Sequence, residues 1–188
     1  MNTEELRFLG IHPVGPENHL CALFYWEEAD RHVPIWISPI DGARVLQVLE
    51  RHFNARPSTY ELLIEFAEKL DGIESISVDE HNKGAFMVEI IDGAGNDFDA
   101  RITDAIVLAD HFDLPITFNK DLLADVAVYI GDDDLKEYFG LERDAAKAPH
   151  DGGESSAQVD DGFEQMMRDS GFTEEDFLSG DDEDGTGN

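Results

Sequence analysis

A chain of 188 residues has room for one domain with a full core, whereas two complete domains would be cramped. Its 13 basic side chains face 43 acidic ones, a net charge of −30, which excludes simple electrostatic capture of nucleic acid, because such affinity comes from Lys and Arg neutralising phosphates. No stretch reaches the roughly 18 consecutive apolar residues of a bilayer span. The first residues carry acids where a secretory leader needs basic ones, so no membrane association and a cytoplasmic location are expected. The single cysteine, Cys21, lies in an apolar run and reads as a small buried side chain.

Residues 6–11 alternate weakly and stop at Pro13, Gly15 and Pro16, a turn; the apolar run 20–26 predicts a buried strand paired with the first. Val33-Pro34-Ile35-Trp36-Ile37 predicts a third strand, and Pro34, with no N–H to donate, places it at an edge or a strand start. Ser38, Pro39 and Asp41 supply a cap, a first-turn proline and a first-turn acid. The helix they open has Ile40, Ala43, Val45, Leu46, Val48, Leu49 and Phe53 on one broad face. Ser58 and Glu61 form the capping-box pattern of a second helix over 59–71, closed by Gly72.

Ile73, Ile76 and Val78 begin a strand, Asn82-Lys83-Gly84 is hairpin chemistry, and 85–91 return as a strand. The turn 92–96 leads into Phe98, Ala100 and Ile102, which completes a three-stranded antiparallel meander. Thr103 is the expected cap of a third helix that Pro115 stops before a short strand 116–118; Asn119 caps a last short helix, 120–125, ahead of 126–130. The expected class is α+β: a mixed, largely antiparallel sheet packed with three to four helices over residues 1–130.

Residues 131–188 hold 19 acids and 4 bases, half of the net charge, and read as an acidic low-complexity tail, mostly disordered with short amphipathic segments. Phe163, Met166, Met167, Phe172 and Phe177 are the apolar islands in it. They motivate one functional expectation, a non-catalytic binding or regulatory module whose tail docks onto a protein partner.

No nucleophile elbow, phosphate loop, dinucleotide fingerprint or zinc spacing occurs. The densest polar group is Asp97-x-Asp99-x-Arg101-x-Thr103-Asp104, whose alternate members share one face of a strand. Asp99 and Asp104 are candidate ligands for Mg²⁺ or Mn²⁺, hard cations that take oxygen donors and organise a water for attack on phosphate. Arg101 and Asp104 are the candidate catalytic pair, with Arg101 clamping a phosphate oxygen. The same residues equally fit a tie between strand and helix, with Arg101 paired to Asp99 or Asp104 and Asp104 at the positive end of the helix dipole. Arg44, Arg51 and Arg56 are the candidate nucleic-acid contacts, the one basic strip in the domain. Asp41 and Glu61 read as capping acids, and the seven histidines, His150 among them, are scattered without ligand spacing.

Asp99-Ala100-Arg101-Ile102-Thr103-Asp104-Ala105-Ile106, with Val33 to Ile37 upstream, Arg56-Pro57 between and Leu114-Pro115-Ile116 downstream, resembles the bifunctional nuclease domain family over about residues 6–129. Family sequences show a Leu-Pro-Ile-Trp-Ile-Gly run and an Asp-Ala-Arg-Pro-Ser-Asp-Ala-Ile run; here Ser38 replaces the glycine and Ile102-Thr103 replace Pro-Ser. The resemblance implies a mixed α+β domain that self-associates as a homo-oligomer, in a family with members that degrade RNA and DNA; single-stranded RNA or DNA is the expected partner. It assigns no catalytic residue.

Overall fold

The computed structural model describes residues 2–15, 17–52, 55–143 and 156–169. Pro16, Phe53, His150, Phe172 and Phe177 lie outside the described residues. Two compact units divide the chain: Met1–His12 with Leu20–Ala127, and Pro13–His19 with Val128–Asn188.

The elements in chain order are β1 (Thr3–Val14), β2 (His19–Trp26), β3 (Arg31–Ile37), α1 (Pro39–Leu49), α2 (Thr59–Lys69), β4 (Ile73–Asn82), β5 (Ala85–Asp92), β6 (Asp97–Ala100), α3 (Ile102–Phe112), β7 (Ile116–Asn119), α4 (Lys120–Val126), α5 (Asp132–Phe139) and α6 (Ser156–Asp169). Seven strands form one sheet in the order β3-β2-β1-β7-β4-β5-β6. Antiparallel pairs join β2 to β3, β1 to β7, β4 to β5 and β5 to β6, while β4 and β7 run parallel. The class is therefore the mixed, largely antiparallel α+β fold expected. Pro34 sits on the edge strand β3, opposite Leu23, where a missing N–H costs no ladder bond. Lys83 and Gly84, with φ of 50° and 86°, make the tight turn between β4 and β5.

The core forms where β2, buried from Cys21 through Tyr25, meets the central strands; Phe24 stacks edge-on against Phe118 and tilts against Phe8, each at 5.3 Å between ring centroids. Burial pushes the Cys21 thiol up to about 12, which leaves it an inert apolar filler. Helix α3 is buried at Ile102, Thr103 and Ala105–Ala109, nearly all round, because it packs on β4, β5 and β7 and is flanked by α1 and α2.

The third helix corrects one expectation. Arg101, not Thr103, is the N-cap, and Thr103 lies buried in the first turn. Asp104, three residues after Arg101, accepts the Arg101 backbone N–H at 3.2 Å. That is half of a capping box; the other half cannot form, since a guanidinium has no acceptor. Ile102 accordingly begins the helix instead of ending the preceding strand.

In the second unit, α5 follows Ile130 directly and ends at Gly140, whose φ of 65° and N–H to the Lys136 carbonyl close it. Arg143 donates to the Asp132 carboxylate at 2.5 Å and to the Ile130 carbonyl at 2.6 Å. Phe163 and Met167 of α6 are buried, with the Phe163 ring 5.8 Å from Tyr138 and 6.3 Å from Phe139. Among the described residues no helix is long and apolar enough to cross a membrane.

Candidate functional site

Three helix N-termini of the first unit meet around one arginine. Helix α1 contributes Asp41. The Ser38 hydroxyl accepts the Asp41 backbone N–H at 3.1 Å and donates to Asp41 Oδ2 at 2.8 Å, which leaves Oδ1 for other donors. Gly42 lets this turn seat closely: a Cβ there would come within 2.4 Å of Leu20 Cδ1. Helix α2 contributes Tyr60, turned inward by the Ser58–Glu61 capping box, in which Ser58 N–H meets the Glu61 carboxylate at 2.6 Å and Glu61 N–H meets the Ser58 hydroxyl at 3.3 Å. Helix α3 contributes Arg101 and Asp104.

Asp104 takes Arg101 in two parallel bonds, Nε to Oδ2 at 3.0 Å and a terminal nitrogen to Oδ1 at 3.1 Å, the fork-to-fork pairing that fixes a guanidinium plane. The other terminal nitrogen of Arg101 reaches Asp41 Oδ1 at 3.3 Å. Hydrogen bonding to Asp104, then the charges of Asp104 and Asp41, raise Arg101 above its ordinary value, so it is cationic at every accessible pH. Its side chain stays 62% exposed, so the cation is oriented from behind and open in front.

Tyr60 is 6% exposed and its hydroxyl has no hydrogen-bond partner among the described residues. The hydroxyl lies close enough to Thr103 to be influenced by it, in a geometry short of a hydrogen bond, with Asp104, Arg101 and Asp41 around it. Burial foremost pushes its ionisation up, so it remains a neutral O–H donor. A buried hydroxyl left without a partner costs about 1–3 kcal/mol.

The expected site residues are distributed as follows. Arg101 and Asp104 come together, as the strand-to-helix tie also requires. Asp99 stands opposite Glu89 on the β5–β6 ladder, exposed. Both oxygens of Asp104 are engaged by Arg101, so the donor set does not form a ready pocket for Mg²⁺ or Mn²⁺. Among the described residues no three His, Cys, Asp or Glu side chains gather to hold a metal ion. Arg44 joins the site through Asp41 Oδ1, at 3.9 Å, whereas Arg51 pairs with Asp110 at 3.1 Å. Asp41 lies in the first turn of α1 and Arg51 past its far end, where φ is 57°, so the basic strip is not continuous; Arg56 is exposed in the loop before α2. Phe163 is spent inside the second unit against Tyr138 and Phe139.

Sequence reasoning missed Tyr60 and the second role of Asp41. The legible signal was the spacing Arg101-x-x-Asp104, which equals that from N-cap to third helical residue.

The uncharacterized proteins MT1877 and Rv1829, from Mycobacterium tuberculosis strains CDC 1551 / Oshkosh and H37Rv, are each 25% identical to the chain over 134 residues, covering 71% of it and 82% of their own length. The bifunctional nuclease domain matches residues 22–131, which take in β2 through α4 and every residue of the arginine cluster. The chain belongs to the bifunctional nuclease domain family.

Proposed function

We propose that this chain hydrolyses phosphodiester bonds in single-stranded RNA and DNA at the cluster of Arg101, Asp104, Asp41 and Tyr60. The observation that carries the reading is an arginine that two carboxylates orient and solvent reaches, beside a buried Tyr60 hydroxyl that has no hydrogen-bond partner among the described residues. Family membership supports the substrate class.

In this reading Asp104 keeps the guanidinium in plane while the nitrogen bonded to Asp41 turns to a non-bridging phosphate oxygen. Tyr60 donates its O–H to the same phosphate. Both donors gain strength as negative charge builds on the oxygens in the transition state. Asp41, freed from Arg101 and still fixed by Ser38, accepts a proton from the attacking water as the phosphorus–oxygen bond to the leaving group breaks; solvent protonates the leaving oxygen. The N-terminus of α3, whose cap residue has no side-chain acceptor, adds positive potential.

A divalent cation, with Asp99 and Asp104 as ligands, belongs to the proposal only as an arm of the test, and no step is routed through it. Arg44 extends the contact along the substrate backbone. Two arginines balance two aspartates locally while the whole chain repels polyanions, so salt weakens substrate capture little or improves it. Self-association and a cytoplasmic location complete the proposal; sedimentation of the purified chain tests the first.

The deciding experiment is cleavage of single-stranded RNA and DNA by the full chain with Mg²⁺, Mn²⁺ or EDTA, beside an Arg101→Ala, Asp104→Ala variant shown by circular dichroism to be folded. Cleavage lost in the variant supports the site. Equal cleavage by both, or none by either, overturns it, and the family name then describes a fold.

A further inference from the structure

The strand β6 ends the sheet, and its two faces differ in chemistry. The Asp92 N–H donates to the Asn96 carbonyl at 3.0 Å, and Ile90 pairs with Phe98 and Val88 with Ala100. Alternation along an antiparallel ladder then turns the backbone groups of Phe98 and Ala100 toward β5 and those of Asp97 and Asp99 outward. A strand edge of this kind accepts a further strand. Side chains alternate too: Asp97 and Asp99 share one face with Glu89, while Phe98, 45% exposed, shares the other with buried Val88 and Ile90.

Helix α2 borders that second face. Its N-terminal Tyr60 lies near Arg101, just past the end of β6, and at its other end Gly72 O accepts the Gly93 N–H at 3.1 Å, just before β6 begins. The approach is tight enough that a Cβ on Gly93 would come within 2.3 Å of Asp71 O. Helix α2, packed on α3, therefore points from the region past the end of β6 back toward the turn that precedes it. Glu68 bonds His111 of α3 at 3.0 Å, so that flank faces inward. On the opposite flank Leu62, Phe66 and Leu70, spaced four apart, are exposed at 44%, 57% and 50%.

We propose that the β6 edge binds an extended segment of a protein partner in which basic residues alternate with apolar ones. Backbone groups of Asp97 and Asp99 pair with the incoming strand. Its basic side chains meet Asp97, Asp99 and Glu89, and its apolar ones meet Phe98 and the α2 stripe. Charge selects this occupant over two others: a second copy would set Asp97 and Asp99 against themselves, and residues 131–188 of this chain carry the same sign. The site is independent of the nuclease reading.

The test uses the full chain and a labelled ten-residue peptide of alternating lysine and valine, with a peptide of the same composition in which five lysines precede five valines. Fluorescence anisotropy is expected to show saturable binding at least tenfold tighter for the alternating peptide. Amide hydrogen exchange is expected to show new protection at Asp97 and Asp99. Asp99→Pro removes an outward N–H without touching the β5 ladder and is expected to abolish binding; Asp97→Asn with Asp99→Asn, which keeps the backbone, is expected to weaken it at least tenfold. Equal binding of both peptides, or undiminished binding to Asp99→Pro, overturns the proposal. A dimer that Phe66→Lys dissolves, with no peptide bound, assigns the surface to a second copy and overturns it also.

Discussion

Two groups of acids flank the short strand β6, and they face opposite neighbourhoods. Beyond its end, Asp104 and Asp41 converge on Arg101, which donates three side-chain hydrogen bonds to their oxygens. On one of its faces Asp97 and Asp99 stand with Glu89, and among the described residues no arginine pairs with them. Residue type is the same in both; the partner differs. Where an arginine closes the group, the acids act as a frame that holds a cation in one plane. Where none does, they remain uncompensated charge at an open edge, available to a partner of opposite sign.

The sharpest way to break this contrast is to remove the arginine. Arg101→Ala is expected to lower cleavage about 10²–10³-fold, the usual loss when one preorganised donor to a transition-state oxyanion is deleted. Arg101→Lys restores little of it, because an ammonium cannot make the paired bonds to Asp104. Initial rates on a single-stranded substrate check both. Asp99→Ala, by contrast, is expected to leave the rate unchanged; a loss as large as that of Asp104→Ala would return Asp99 to the site as a ligand.

Next in size is the joint between the end of α2 and the turn that leads from β5 to β6. Gly93→Ala forces a methyl against the Asp71 carbonyl, a backbone atom that cannot swing aside, and is expected to cost about 1–3 kcal/mol in denaturant unfolding. Acid attacks the same turn. Asp92 is held below its ordinary range, first by the Asn96 side chain and then by backbone N–H groups. The stability it contributes is therefore complete above the unfolded carboxylate value of about 3.9 and is lost as pH falls through the lower folded value. Unfolding followed from pH 5 downward is expected to show that loss diminished in Asp92→Asn.

Tyr60→Phe follows. It deletes one oxygen and no packing, so cleavage is expected to fall about tenfold, the worth of one hydrogen bond, while the thermal midpoint rises because the hydroxyl's desolvation cost goes with it. An unchanged rate would make the hydroxyl a passive resident.

The elements were legible because caps and turns are local chemistry. Ser38-Pro39, the Ser58–Glu61 pair and Lys83-Gly84 each specify a backbone event within a few residues. The site was half legible: Arg101 and Asp104 are three apart in sequence and meet on one helix turn. Asp41 is 60 residues from Arg101 and satisfies every local criterion of a first-turn capping acid, which it also is. Tyr60 stands between Ser58 and Glu61 with no signal of its own until the packing of α1, α2 and α3 brings their first turns together. Thr103 as a cap failed for a physical reason, since an acid at the third helical position can serve the N-cap N–H itself and needs no hydroxyl upstream.

The smallest expected effect is the most direct test of uncompensated charge. Glu89 and Asp99 lie directly opposite across the ladder, where like charges oppose pairing by about 0.2–1 kcal/mol. Asp99→Asn removes one of them while keeping size and shape, so stability should rise by that amount in dilute salt, and the gain should shrink as salt screens the pair. Asp104→Asn should do the opposite, because it breaks the paired bonds to Arg101 and leaves the guanidinium with Asp41 alone. Urea midpoints of the two variants, measured at low and high salt, therefore separate the groups: one acid that costs stability and one that supplies it. If both substitutions destabilise alike, the edge acids are held by contacts of their own, and the distinction between frame and open edge fails.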